Sequence, residues 1–83
     1  MRVLYFAWLR ERVGVNGEEV NPPSTIKDVG ALVDWLKGRS DGHAVALADL
    51  NRVRVAVNQE AVGLGHPVSP DDEVAFFPPM TGG

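Results

Sequence analysis

The chain contains no cysteine, so no disulfide can staple its fold, and a reducing cytoplasm is its expected home. Histidine is almost as scarce. His43 and His66 are the only two, and neither has metal-ligand spacing to a second histidine or a carboxylate. Positive charge is thin, with 8 Lys and Arg against 11 Asp and Glu, a net charge of −3 and a pI near 5.2. That balance argues against nucleic acid, whose phosphates need a basic face. The few cations are scattered, with no cluster larger than pairs such as Arg10/Arg12 and Arg52/Arg54. Long apolar runs are missing too. Val3 to Leu9 follows Arg2 in the manner of a signal peptide, but it is short, lacks a small-residue cleavage site and runs into Arg10-Glu11-Arg12. Nothing approaches the roughly 20 apolar residues of a membrane span.

Catalytic constellations are absent as well. There is no Ser/His/Asp arrangement, and Gly63-Leu64-Gly65 is too short to cradle a phosphate. His66, just before Pro67, reads as a solvated loop histidine. Asp71-Asp72-Glu73 reads as a solvated acidic turn, with cation binding or the steering of a basic partner as alternatives. At 83 residues the chain is one small domain, able to bury roughly 60–65% of its unfolded surface.

Its punctuation divides it into short elements. Arg2 to Trp8, rich in β-branched and aromatic residues, reads as a strand, and Leu9 to Val13 as a helical turn ending at Gly14. Glu18 to Asn21 is a second strand stopped by Pro22-Pro23. Thr25 then caps a helix, with Asp28 three residues on. Ile26, Val29, Leu32, Val33 and Leu36 form its apolar stripe, and Gly38 ends it as a C′ residue. Gly30 inside the helix suggests close packing. Within Ser40 to Asn51 a short helix over Ala44 to Leu47 is expected. Arg54 to Asn58 and Glu60 to Val62 form a hairpin turning at Asn58-Gln59, Pro67 to Asp72 a loop, and Glu73 to Phe77 the last strand. The order strand–strand–helix–strand–strand fits an α+β, ubiquitin-like β-grasp: a mixed sheet on one main helix, its first and last strands parallel and central.

One helix covers one face of such a sheet, yet both faces read as apolar. Val74 and Phe76 oppose Ala75 and Phe77, and Val3, Tyr5 and Ala7 oppose Leu4, Phe6 and Trp8. The uncovered face reads as an interface to which Phe6 and Phe77 contribute, unless residues 40–52 fold over it.

The end of the chain is its most specific feature. Phe76-Phe77-Pro78-Pro79-Met80-Thr81-Gly82-Gly83 carries no charged side chain. The prolines favour an extended course, and the glycines can pass a constriction closed to larger residues. Residues 1–77 are expected to form the domain and 78–83 an extended tail, reaching roughly 16–18 Å from Pro79. This end suits a carboxylate that must be threaded into another protein's active site.

Val57-Asn58-Gln59, Asp72-Glu73-Val74-Ala75-Phe76-Phe77-Pro78-Pro79 and Thr81-Gly82-Gly83, with Phe6-Ala7 and Arg10-Glu11, resemble the small, sulfur-carrying subunits of molybdopterin synthase. Asp71 departs from the family, which has glycine there. The resemblance implies a carrier without a catalytic pocket of its own. Its Gly83 carboxylate would be adenylated by an ATP-using, ubiquitin-activating-like enzyme and converted by a sulfur donor into a thiocarboxylate, a C-terminal 1-thioglycine. Without cysteine, a persulfide cannot carry the sulfur instead. The large synthase subunit, in a heterotetramer of two small and two large chains, would use that sulfur to build the molybdopterin dithiolene from cyclic pyranopterin monophosphate. Gly82 would give clearance, while Phe6, Ala61, Phe77, Pro78, Pro79, Met80 and Thr81 would contact partners. No metal or permanently bound cofactor, no nucleic acid and no membrane are implied. Rival readings are a carrier for thiamine or tRNA thiolation, a ubiquitin-like modifier of proteins, or a β-grasp binding module with an incidental glycine end.

Overall fold

Alternation between buried and exposed side chains builds the sheet. In β1 (Arg2–Tyr5) Val3 and Tyr5 are buried and Arg2 is exposed. In β3 (Arg54–Val57) Val55 and Val57 are buried, and in β5 (Glu73–Phe77) Val74 and Phe76. Two short strands, β2 (Gly17–Glu19) and β4 (Glu60–Val62), form the edges. The structure, a computed structural model, describes residues 1–79. Its sheet runs β2-β1-β5-β3-β4, with β1 and β5 parallel at the centre and every other pair antiparallel. The β-grasp expected from the order of elements is the fold observed.

The main helix, α2 (Val29–Lys37), turns Val29, Leu32, Val33 and Leu36 onto the sheet, where they share one core with Val3, Tyr5, Val55, Val57, Val74 and Phe76. It starts later than the sequence suggested. Asp28, not Thr25, is the N-cap, its carboxylate accepting the Ala31 N–H at 2.8 Å. Ile26 therefore packs on the core from the preceding loop. Gly38 ends the helix as expected, at φ −81° in the right-handed region. Gly30 is not forced by packing, since a Cβ there would rest 3.4 Å from the Leu64 carbonyl oxygen, an ordinary contact.

Strand β1 also stops earlier than its apolar run. Ala7 adopts φ 54°, which ends the alternation, and α1 (Trp8–Val13) begins. Gly14 closes that helix at φ 98°, a left-handed position suited to glycine. The second strand lies one to two residues earlier than expected. Residues 40–52 hold α3 (Asp41–Ala46) and a 3-10 turn (Leu50–Arg52) in place of one helix over 44–47. Ser40 caps α3 by accepting the His43 N–H. This helix packs on α1 and α2, and the His43 ring meets the Tyr5 ring edge-on at 5.7 Å. It thus lies on the helical side of the sheet and leaves the other face open. The hairpin turns where expected, with Asn58 and Gln59 both at positive φ, the geometry of a type I′ turn.

Candidate functional site: the open sheet face and the chain exit

Register lines the open face with small and apolar side chains. Leu4 stands opposite Ala75, Ala75 opposite Ala56, and Ala56 opposite Ala61, one row across four strands. The next row towards the C-terminal end of β5 holds Phe77, paired with Arg54. Phe6 lies beside it, since its N–H donates to the Phe76 carbonyl at 3.0 Å, and its side chain is 46% exposed. Phe77, Pro78 and Pro79 are half-buried, while Ala61 is exposed. Phe6, Ala61 and Phe77 thus share one face, and the prolines lead away from its edge. Met80, Thr81, Gly82 and Gly83 lie outside the described residues.

Asn58 fixes the other end of β5. Its N–H donates to the Glu73 carbonyl at 2.8 Å, its Oδ1 accepts the Glu73 N–H at 3.0 Å, and its Nδ2 donates to Asp72 at 3.0 Å. The strand that delivers the tail is therefore held by the hairpin at its start and by β1 along its length. Asp71 does not take the left-handed backbone that a family glycine there would suggest. Asp72 accepts the Ser69 N–H and donates its own N–H back to Ser69, closing the acidic turn on itself. Among the described residues no cluster of His, Asp or Glu is arranged to hold a metal ion. Nor is any described helix long and apolar enough to cross a membrane.

One polar cluster escaped the sequence reading. Glu18 Oε2 accepts the Tyr5 hydroxyl at 2.7 Å and lies 2.8 Å from His43 Nε2, while Ser40 Oγ lies 2.7 Å from His43 Nδ1. The ring nitrogen Nε2 donates to the Glu18 carboxylate, and Nδ1 shares the second hydrogen bond with the Ser40 hydroxyl. Burial alone would push the Glu18 carboxyl up, but the hydrogen bonds from His43 and Tyr5, with the charges of His43 and Arg39, hold it below its ordinary value. Burial first, and then the bond to the Glu18 carboxylate, drive the Tyr5 phenol well above its usual range. Ser40 three residues before His43 was a legible helix cap. The partnership with Glu18, 25 residues away, was not. The cluster lies on the helical face of the sheet, opposite the open face, and ties β1, β2 and α3 together.

Among the described residues the geometry offers an open apolar face beside the end of β5. A family model for ThiS proteins matches residues 3–83. The chain belongs to the ThiS family. Within that family it is 45% identical over 83 residues to the molybdopterin synthase sulfur carrier subunit of Escherichia coli, covering 100% of this chain and 99% of that one. The sulfur carrier subunit of Homo sapiens is 40% identical over 89 residues, spanning 100% and 93% of the two chains. Among solved structures, SAMP1 from Haloferax volcanii superposes with a TM-score of 0.76 at 32% identity, covering 100% of this chain and 98% of that one.

Proposed function

We propose that this ThiS-family chain is the sulfur carrier of a molybdopterin synthase, with the sulfur held on the Gly83 carboxyl. A carboxylate is a poor electrophile until one oxygen becomes a good leaving group. Adenylation supplies this: a Gly83 oxygen attacks the α-phosphorus of ATP and releases pyrophosphate. A sulfur nucleophile then attacks the acyl carbon and expels AMP, leaving the thiocarboxylate. An ATP-using, ubiquitin-activating-like enzyme and a sulfur donor carry out these steps in a cytoplasmic setting. The carrier next docks on the large synthase subunit, two of each chain forming a heterotetramer. There its tail gives sulfur to cyclic pyranopterin monophosphate for the dithiolene. Acid, base and substrate-binding groups belong to that subunit.

The observation that carries the reading is the placement of the exit. The central strand β5 ends at Phe77 beside an open apolar face and leads into Pro78-Pro79-Met80-Thr81-Gly82-Gly83. A domain docked through that face holds the tail at a fixed point, so the carboxylate is presented at a defined reach. Phe6, Ala61 and Phe77 make the docking contact, Pro78 to Thr81 position the tail, and Gly82 gives clearance. The full-length similarity to sulfur carrier subunits supports the pathway assignment.

The test is intact mass of the native chain purified from cells that make the cofactor. A fraction is expected in which sulfur replaces one terminal oxygen, localised by fragmentation to Gly83 with Met80 unmodified. Incubation with the activating enzyme, ATP and sulfide should raise that fraction. A chain lacking Gly82-Gly83 should show none, and failure of a competent activating enzyme to modify the native chain would overturn the reading. The likeness to solved structures described as small archaeal modifier protein 1 favours one second reading, conjugation to proteins. It predicts isopeptide-linked adducts ending in Gly83, which an ordinary sulfur carrier does not form.

A further inference from the structure

Two arginines that are far apart in the chain meet near the end of the sheet where β5 stops. Arg12 of α1 and Arg52 of the 3-10 turn line one groove with Trp8, Val45, Ala48 and Asp49. The Arg52 guanidinium carbon lies 4.9 Å from the centre of the Trp8 ring, a cation–π distance. Arg54, two residues on, is exposed on the open face opposite Phe77. Arg10 is exposed on the same helix as Arg12. Among the described residues none of these four arginines forms an ion pair with a carboxylate. Glu11, Asp41 and Asp49 form no ion pair with them, and Asp49 caps the 3-10 turn by accepting the Asn51 N–H. Acidic residues gather at the opposite end: Asp71 to Glu73 where β5 begins, Glu60 at the start of β4, and Glu19 beside Arg2. A chain of net charge −3 is thus polarised, with its positive end around the exit.

We propose that Arg12, Arg52 and Arg54, with Trp8 at their base, form a basic rim that docks on an acidic protein surface bordering the pocket that receives the tail. The inference rests on the sulfur-carrier reading and specifies the chemistry of the large subunit's pocket mouth. Three features favour a protein over a polyanion. The rim includes exposed apolar surface, Val45 being 57% exposed, and arginine beside an aromatic ring is the usual composition of a protein interface. It adjoins the open face through Phe6, two residues before Trp8. The far end of the domain is acidic and would repel a nucleic-acid backbone. Rim charges chiefly steer encounter and set orientation, so the effect belongs in the association rate.

The test is stopped-flow association of the full chain with the large synthase subunit of the same organism, at about 50 and about 300 mM salt. The parent should associate more slowly at the higher salt. Arg12→Glu/Arg52→Glu should slow association about tenfold at low salt and flatten the salt dependence. Lys27→Glu/Lys37→Glu, with the same change in net charge, should stay within about twofold of the parent. If the double glutamate variant does not fold by circular dichroism, Arg12→Gln/Arg52→Gln must show a smaller slowing in the same direction. Equal rates for parent and rim variants, or equal slowing by the lysine pair, would overturn the rim. So would binding of single-stranded nucleic acid through these arginines with subunit association unchanged. Phe77→Arg, measured alongside, separates the two ideas: if it too associates normally, the carrier's docking face is wrong and not merely its rim.

Discussion

Glu18 is a half-buried carboxylate that collects the Tyr5 hydroxyl, the His43 ring and the Arg39 guanidinium. Because its carboxyl is held below the ordinary value of 4.5, it contributes stability that is present above that value and is lost as the pH falls through the folded one. Glu18→Gln should therefore lower the melting temperature most near neutral pH. The gap between parent and variant should narrow as the pH falls below the ordinary carboxylate value and through the lowered folded one. Thermal melts across that range check it, and a gap that widens on acidification would contradict the assigned sign. At the other functional end, Gly82→Val should leave the melt unchanged and block charging or transfer, because β-branching removes conformations a threaded glycine can use. ATP–pyrophosphate exchange and sulfur transfer report on it separately. Normal values in both would mean that the tail meets no tight passage at this position.

At the scale of elements, α1 and α3 meet backbone to backbone at Gly42. A Cβ on Gly42 would collide with the Arg12 carbonyl oxygen and press on the Val13 backbone. Gly42→Ala should thus cost about 1–3 kcal/mol, in spite of alanine's better helix propensity, because two backbones would have to separate. Urea unfolding measures this, and a stabilised variant would show that α3 has room to shift. The same contact holds Arg12 near the 3-10 turn that bears Arg52, so the variant is also expected to disturb the rim. Strand β5 behaves differently. Asn58 ties its start to the hairpin and β1 and β3 flank it, so its end at Phe77 is a rigid departure point.

At the scale of the molecule, one layer of helices covers one face of the sheet and leaves the other open, the face proposed to take the partner. Phe77→Arg should therefore fold normally and lose the large subunit. Burying the phenylalanine on association is worth about 1.5–3 kcal/mol, and an arginine buried there without a partner would cost more. A normal melting temperature with at least a tenfold weaker Kd is the expected pair of results. Unchanged binding would move the interface to another surface.

The sequence by itself determined the kind of fold and the kind of ending. Period-two alternation in residues 2–5, 54–57 and 73–77, the stripe through Val29, Leu32, Val33 and Leu36, and the glycine and proline stops were enough for the β-grasp, because local propensity and burial agreed along each of them. The Phe-Phe-Pro-Pro-x-Thr-Gly-Gly block marked the carrier family because its residue types are unusual together. Where a local signal had a competitor, only the tertiary structure decided. Thr25 and Asp28 could each cap a helix, and packing on the sheet chose Asp28. The apolar run to Trp8 could have extended β1, but the chain had to turn at Ala7 to begin α1. Residues 40–52 gave no clear period, since their helix is defined by a close backbone contact at Gly42 and by a bond from His43 to Glu18. Neither contact leaves a trace in a linear pattern. The gathering of Arg12, Arg52 and Arg54 around the exit belongs to the same class: charge is visible residue by residue, but its arrangement in space comes only from how distant segments pack.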